Sequence, residues 1–349
     1  MKDTSLHRAP TMADVARRAG VSNMTVSRVL SGHPTVRAAT RAAVLRAVEE
    51  LGYLRNLSAR ALATRSTRAL GVIACDVALS GQSGILSGLQ EAARTEGYVV
   101  STVTLRHFSA EDFKDAVDHL GGWGADGIVA VVPHRAAMSL LADMKLPFPV
   151  VAVEAGPDAP LTSASVDQEL GACLVTRHLL DAGHRTVWHV AGPADWLQAE
   201  ARTAGWRRTL EDAGAQVPPP LVGDWTPLSG YRAGQELAGR VTTSTLRKGS
   251  PEVTAVFVAN DQMALGVLWA LREAGLSVPG KVAVAGFDDI PGTEVFSPPL
   301  TTVRQDFAAV GRAGVQLLVE RLASGPAVGH RHIVLEPRLI ARASTARRL

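Results

Sequence analysis

Cysteine is almost absent from this chain, with Cys75 and Cys173 making up the whole supply. Two thiols exclude a disulfide framework, and no Cys or His cluster has the spacing of a zinc site, so no metal is expected. Each cysteine reads as a small buried hydrophobe. Long apolar runs are missing too. Stretches such as Val150 to Val153 and Val253 to Ala259 fall far short of the ~18 to 20 residues a membrane span needs. Lys2 to Pro10 lacks a hydrophobic signal core. A soluble, cytoplasmic protein with no membrane partner is expected. Catalytic signatures are equally scarce: His184, His189, His330 and His332 show no HExxH spacing, and no GxSxG elbow occurs. Asp288 and Asp289 are paired carboxylates, but side chains of adjacent residues diverge, whereas glycosidase chemistry needs facing groups ~5 to 10 Å apart. An enzyme is not expected, nor a cofactor.

What is present is an uneven distribution of charge. The chain has 349 residues and a formal net charge of +3, which looks unremarkable until it is divided. Residues 1 to 68 hold 12 Lys and Arg against 4 acids, while the remainder holds 24 bases and 29 acids. A short basic head on an acidic body is the footprint of a nucleic-acid-binding module attached to something else.

The head reads as three helices. Thr11 caps a helix from Met12 to Ala19, with Val15, Ala16 and Ala19 on its apolar side, and Gly20 ends it. Ser22 caps a second helix, Asn23 to Leu30, after a turn of Gly20, Val21 and Ser22. This is the helix-turn-helix pattern, whose second helix enters the major groove. Val26, Val29 and Leu30 face the core, leaving Ser22, Asn23, Met24, Thr25, Ser27 and Arg28 outward, where short donors and acceptors and one Arg suit base edges and phosphates. A third helix, Ala38 to Leu51, closes the small core.

From Ala69 onward, β-branched runs alternate with helical patterns. The strands are LGVIA at 70 to 74, YVVSTV at 98 to 103, GIVAVV at 127 to 132 and VVAV at 150 to 153, then TVWHVA at 186 to 191, AVFVA at 255 to 259 and VAVAGF at 282 to 287. Helix-like stretches include Gly84 to Glu96, Leu170 to Asp181, Gln198 to Asp212 and Gln262 to Ala274. Alternation implies parallel sheets covered on both faces, and two such series imply two similar lobes with a ligand crevice at the strands' carboxyl ends.

The run MADVARRAGVSNMTVSRVLSG, followed by TRAAVLRAVEELGYLRN, closely resembles the DNA-binding domain of the LacI/GalR family of bacterial transcription regulators. The likeness continues into NLSARALA at 56 to 63, similar to the family's hinge helix, and covers nearly the whole chain. It implies an all-α helix-turn-helix head with a hinge helix, then an α/β periplasmic-binding-protein-like effector domain of two Rossmann-like lobes. The implied boundaries are 1–55 for the DNA-binding domain, 56–68 for hinge and linker, and 69–345 for the sugar-binding and dimerisation domain. Thr11, Ser22 to Thr25, Ser27 and Arg28 in the head, with Asn56 and Ala59, are the implied DNA contacts, and Leu62 matches the leucine that wedges into the central minor groove. Asn23 and Met24 occupy the positions where family members vary and read bases. Arg37 stands where the family usually has a capping Ser.

In the body, ARTAGW, GDWTPLSGY, VANDQMALG and PPLTTVRQDF resemble the galactoside-responsive members most. The resemblance assigns Arg202, Asn260 and Asp288 to sugar hydroxyls, Gln305 to another polar position of the cleft, Trp225 and Phe307 to an aromatic wall, and Leu79 and Ile85 to the surroundings of the aglycone. Such a set suits a sugar, which offers a ring of hydroxyls and one apolar face. Glu154, Val131 and Val166 stand where those members carry Asp, Asn and Phe, and the loop Ser80 to Ser83 also differs, changes that point toward another galactoside, free galactose or a larger oligosaccharide.

The implied function is a transcriptional repressor of a sugar-utilisation operon, released from its operator DNA by a galactoside or galactose. Alternatives are a relative answering to a different sugar or to a corepressor, and a transport-type sugar-binding protein, which needs a secretion signal and no basic head. Binding a pseudo-palindromic operator calls for a homodimer, placed with the nucleoid in the cytoplasm. The leucine heptads of the family's tetramers do not appear at the C-terminal ARASTARRL.

Overall fold

The computed structural model describes residues 10–53, 66–75, 80–106, 108–156, 159–244, 252–325 and 329–346. It divides into two compact units, Met1–Thr67 and Arg68–Leu349.

The first unit contains α1 (Met12–Ala19), α2 (Asn23–Leu30) and α3 (Ala38–Leu51). Thr11 and Asp14 form a reciprocal capping box at the start of α1, and Gly20, at φ 65°, supplies the left-handed residue that stops it. The Ser22 hydroxyl accepts from the Thr25 amide and so caps α2, whereas Arg37 makes no side-chain cap for α3. Val15, Ala16, Val26, Val29, Val44, Ala47 and Tyr53 form the buried core, with Leu30 packed against it. The three helices have the bounds that periodicity predicts.

The second unit has two lobes. In the first, β1 (Ala69–Cys75), β2 (Val99–Leu105), β3 (Gly127–Val131), β4 (Val150–Val153), β5 (Ser163–Val166) and β11 (His332–Leu335) make a parallel sheet in the order β11-β5-β4-β3-β1-β2. Helices α4 (Ser80–Thr95) and α11 (Phe307–Ser324) belong to the apolar layer that contains Leu70, Val72 and Val129. Those of α5 (Ala110–Gly122) and α6 (Arg135–Asp143) belong to a separate layer with Ile73, Ile128 and Ala130. Alternate residues of β1 and β3 thus feed opposite faces, as the two-residue period of a strand requires.

In the second lobe, β6 (Trp188–Ala191), β7 (Leu221–Val222), β8 (Ala255–Val258) and β9 (Ala283–Ala285) form a parallel sheet in the order β7-β6-β8-β9. Helices α7 (Gln168–Asp181) and α8 (Leu197–Asp212) pack with Phe257 and Phe287, and α9 (Pro227–Ser244) and α10 (Asp261–Glu273) with Val256 and Val258. An antiparallel pair, β10 (Thr302–Arg304) with β12 (Arg338–Ile340), completes it.

Two features depart from strict alternation. Among the described residues no helix separates β4 from β5, although the two pair in parallel. The lobes are also not consecutive in sequence: the chain crosses between them near Asp167, near Gln305 and between β11 and β12, so the first sheet takes its edge strand from residues 332–335. His189 is wholly buried, stacked on Phe257 at 4.6 Å, and desolvation lowers its pKa to about 4, which keeps it a neutral core residue. Cys75 is buried, but Cys173 is half-buried and lies 3.3 Å from Arg208 Nη2, a more polar setting than a core hydrophobe has.

Candidate functional site

Two surfaces carry the chemistry, one in each unit. On the head, Asn23, Met24, Ser27 and Arg28 form one exposed stripe of α2, and Met24 is 64% exposed. Ser22 and Thr25 are less free. Their hydroxyls lie 3.0 Å apart while Ser22 caps the helix, so both help to shape α2. The Thr11 hydroxyl donates to Asp14 at 2.6 Å and likewise holds α1. The expected contacts Asn56, Ala59 and Leu62, with most of the hinge, lie outside the described residues, as does Leu79 in the body.

In the body, a cavity enclosing about 500 Å³ of empty space, solvent at its mouth included, lies between the lobes. Ile85, Glu154, Arg202, Trp225, Asn260, Asp288 and Phe307 all line it. Ile85 and Phe307 come from α4 and the start of α11, Glu154 from the end of β4, and the rest from the second lobe.

Trp225 is 6% exposed, sits at φ 70° in the loop before α9, and lies across the backbone at Gly192, where an added Cβ would come within 2.2 Å of the indole. Phe307 lies against Gly81 in the same manner, at 2.8 Å. Asn260 caps α10 through its Oδ1 and donates from Nδ2 to the carbonyl of Trp225 at 3.1 Å, so it holds the tryptophan loop as well as facing the cavity. Glu154 (φ 64°), Trp225 and Asp288 (φ 113°) are three of the five described non-glycine residues with positive φ. Such backbone costs roughly 1 to 3 kcal/mol per residue and concentrates where function holds it.

Arg202 is the electrostatic centre. Its Nε donates to Gln168 at 2.9 Å, Nη1 donates to the carbonyl of Ala259, Nη2 lies 3.5 Å from Asp288, and the guanidinium stacks 4.0 Å above Phe287. Burial pushes the Asp288 carboxyl up to about 6, a rise that Arg202 and Gln305 oppose. Burial also raises Glu154, against its bond from Gln198 and the charge of Arg202. Asp289 points elsewhere, into Arg304 at 2.6 Å and Arg342 at 2.7 Å, and those hydrogen bonds outweigh burial and lower its pKa.

Gln305 is not on the cavity wall. It donates to Asp288 at 2.7 Å and accepts from Gln168 at 2.7 Å, so it acts by orienting Asp288. Val131 is wholly buried in the first lobe's core, away from the cavity. Four further polar or aromatic residues line the space without having been expected: Gln82, Trp196, Gln198 and Gln262. Helical spacing holds the missing signal, because Gln198 lies one turn before Arg202 and Gln82 three residues before Ile85.

At the rim the lobes touch directly. His134 and Trp196 form an antiparallel bridge with rings 4.7 Å apart, and Trp196 meets Trp225 edge-on at 5.5 Å. Gln198 Nε2 spans the lobes too, donating to the Glu154 carbonyl at 3.1 Å and its carboxylate at 3.0 Å. Among the described residues no group of His, Cys, Asp and Glu could hold a metal, and no helix is long and apolar enough to cross a membrane.

Comparison with known proteins matches residues 11–56 to the bacterial regulatory proteins, lacI family, and residues 176–345 to the periplasmic binding protein-like domain. The chain is 35% identical to the HTH-type transcriptional regulator CelR of Thermobifida fusca over 97% of its own length and 98% of that protein's. Among solved structures it is similar to a lac repressor dimer bound to operator and the anti-inducer ONPF, with a TM-score of 0.85 and 31% identity, covering 97% of this chain and 99% of that one. It is also similar to a CelR–cellobiose complex, with a TM-score of 0.71 and 32% identity over 96% and 99% of the two chains.

Proposed function

The chain belongs to the lacI family of bacterial regulatory proteins, and from that membership we propose a transcriptional repressor whose head reads an operator and whose body releases DNA on taking up a small sugar. The homologues support regulation of transcription rather than enzymatic activity.

One observation carries the sugar. Among the described residues, eight buried side-chain polar atoms lack a hydrogen-bond partner, and four of them line the cavity between the lobes: Gln82 Oε1, Glu154 Oε1, Gln198 Oε1 and Trp225 Nε1. A buried acceptor without a donor costs about 1 to 3 kcal/mol, so the site favours a ligand that brings donors to three acceptors and one acceptor to the indole. A polyol does both. A phosphate or carboxylate would bring no donor and would meet Glu154 and Asp288 beside the single buried Arg202. The flat face of a sugar ring suits Trp225. A galactoside is favoured by resemblance, and the cellobiose bound in the CelR structure supports a glucose-type sugar as the second candidate.

The mechanism is a coupling between sites. Without sugar, two hinge segments around Asn56, Ala59 and Leu62 pair on DNA. Sugar held by Arg202, Trp225, Asp288 and Asn260, with Gln305 orienting Asp288, favours a lobe arrangement that parts them. Coupling of ~1 to 3 kcal/mol weakens DNA binding ~5 to 150-fold. The head occupies 1–55, the hinge and linker 56–68, and the effector domain 69–345. A homodimer on a pseudo-palindrome supplies the second head, acting in the cytoplasm on nucleoid DNA. Leu265 and Trp269, one turn apart on α10, and Leu228 on α9 are 44%, 54% and 57% exposed, and exposed apolar side chains of this kind suit that pairing. The test is a gel shift of a selected operator fragment. Salt-sensitive binding, lost on deleting residues 1–63 and reversed by a sugar that also raises the body's melting temperature, is the expected result. Retention of the shift after the deletion would refute the assignment.

A further inference from the structure

Asp289, the second of the adjacent carboxylates, does not line the cavity, yet its side chain is 5% exposed and heavily bonded. Oδ2 accepts from Arg304 Nε at 2.6 Å, and Oδ1 accepts from Arg342 Nη2 at 2.7 Å and from the Thr293 hydroxyl at 3.0 Å. Arg342 is fixed in turn, since its Nη1 donates to the Leu300 carbonyl at 2.7 Å and its backbone amide to the Thr301 hydroxyl at 2.8 Å.

What these bonds anchor is a strained turn. Asp288 and Asp289 are consecutive residues at φ 113° and 56°, backbone that a residue with a Cβ adopts only when its surroundings hold it there. The turn is stitched along its length: the Asp288 amide donates to the Val303 carbonyl at 2.8 Å, the Asp289 amide to the Thr302 hydroxyl at 3.3 Å, and the Ile290 amide to the Asp261 carboxylate at 3.0 Å. The side chains follow the same order, with Asp288 bonded to Gln305 and Asp289 to Arg304, the residues that lead into α11. Asp288 must offer oxygen to a ligand, so its own side chain is a poor anchor for the turn. Asp289 has no such duty. Relaxation of either residue to negative φ would re-aim the Asp288 carboxylate, which stands 3.5 Å from Arg202 Nη2.

We propose that Asp289 is a positioning residue for sugar recognition: with Arg342 and Arg304 it holds the turn in the conformation that presents Asp288 to the cavity, without touching the sugar. This rests on the sugar assignment and extends it to residues outside the cavity. Arg342 is the stronger partner, because its side chain is 16% exposed against 56% for Arg304, and a solvated ion pair contributes little.

The test is calorimetric titration of the intact protein with galactose, lactose and cellobiose, with the melting temperature and sugar-free operator binding measured on every variant. For whichever of these sugars binds the wild type, Asp289→Ala should lower affinity about tenfold or more, and Arg342→Met by a similar factor. The double variant should lose less than about threefold beyond either single one, since both remove the same anchor. Arg304→Met should lower affinity about threefold or less. Asp289→Asn keeps one acceptor oxygen and tolerates left-handed backbone, so it should return affinity to within about threefold of wild type. Arg342→Met serves if Asp289→Ala does not fold, and operator binding should match wild type throughout. Wild-type sugar affinity in Asp289→Ala and Arg342→Met, or losses that add in full, would overturn the positioning role and leave the sugar assignment standing. A loss that operator binding shares, or that Asp289→Asn does not recover, would overturn it too. Failure of every sugar to bind the wild type would overturn both.

Discussion

Gly192 and Trp225 share one position in space: a methyl group on Gly192 would come within 2.2 Å of Cη2 of the indole. The aromatic wall of the cavity therefore exists because residue 192 has no side chain. Gly192→Val should displace Trp225 and lower sugar affinity by at least about tenfold, consistent with loss of a buried aromatic contact. Calorimetry on the variant, with operator binding as a control on the head, measures it. Unchanged affinity would mean that Trp225 does not touch the sugar.

Asp288→Ala removes the partner of Arg202 Nη2 and of Gln305 at once. The variant should still bind operator but no longer release it at sugar concentrations that release the wild type. Induction curves read by gel shift decide the matter, and normal release would rule Asp288 out as a ligand contact.

Sugar binding should depend on pH through Asp288, whose carboxyl titrates at about 6. A hydroxyl donating to the carboxylate favours the ionised form, so affinity should be full above pH 6 and fall as pH drops through it, by up to about tenfold per unit. The free body should show the opposite slope from this group. Its folded pKa lies above the ordinary carboxylate value of 3.8, so its contribution to stability is complete below that value and is lost as pH rises through about 6. Titrations from pH 5 to 8 on wild type and Asp288→Asn separate the two, because the variant should lose the step in affinity.

On the head, α2 divides into two sets of residues with separable roles. Asn23→Ala and Met24→Ala should change which operators a binding selection recovers without moving the head's melting temperature, since Met24 is exposed and Asn23 lies beside it. Val26→Ala opens a cavity in a core of seven residues and should destabilise the head by about 2 kcal/mol, lowering affinity for all operators alike. A selection returning the wild-type operator from both surface variants would move base reading to another element.

How much of this was legible in the sequence depends on whether the information is local. The bounds of α1, α2 and α3 follow from Thr11, Gly20, Ser22 and the apolar spacing, all within a few residues of the helix ends they set. Most strands of the two parallel sheets read from β-branched runs. The edge strand β11 did not, because nothing near His332 tells it to lie beside Ser163. In the site, the residues that motifs carry, such as Arg202, Trp225 and Asp288, come together on one cavity. Gln82 and Gln198 went unread because a glutamine on a helix is ordinary until its neighbours in space are known. Gln305 belonged to the site's chemistry at one remove, a distinction that only its two hydrogen bonds make.

The three crossings between the lobes have a consequence for the order in which the protein takes shape on the ribosome. The head's described core ends at Tyr53, so it can close while most of the chain is still unmade. The body cannot be finished in parts. The first sheet waits for residues 332–335 to dock on β5, and β10 waits for residues 338–340. A nascent chain therefore carries a finished DNA-reading module well before it carries a completed body, and a polypeptide released before residue 340 would have the means to find DNA without the finished two-lobed domain behind it.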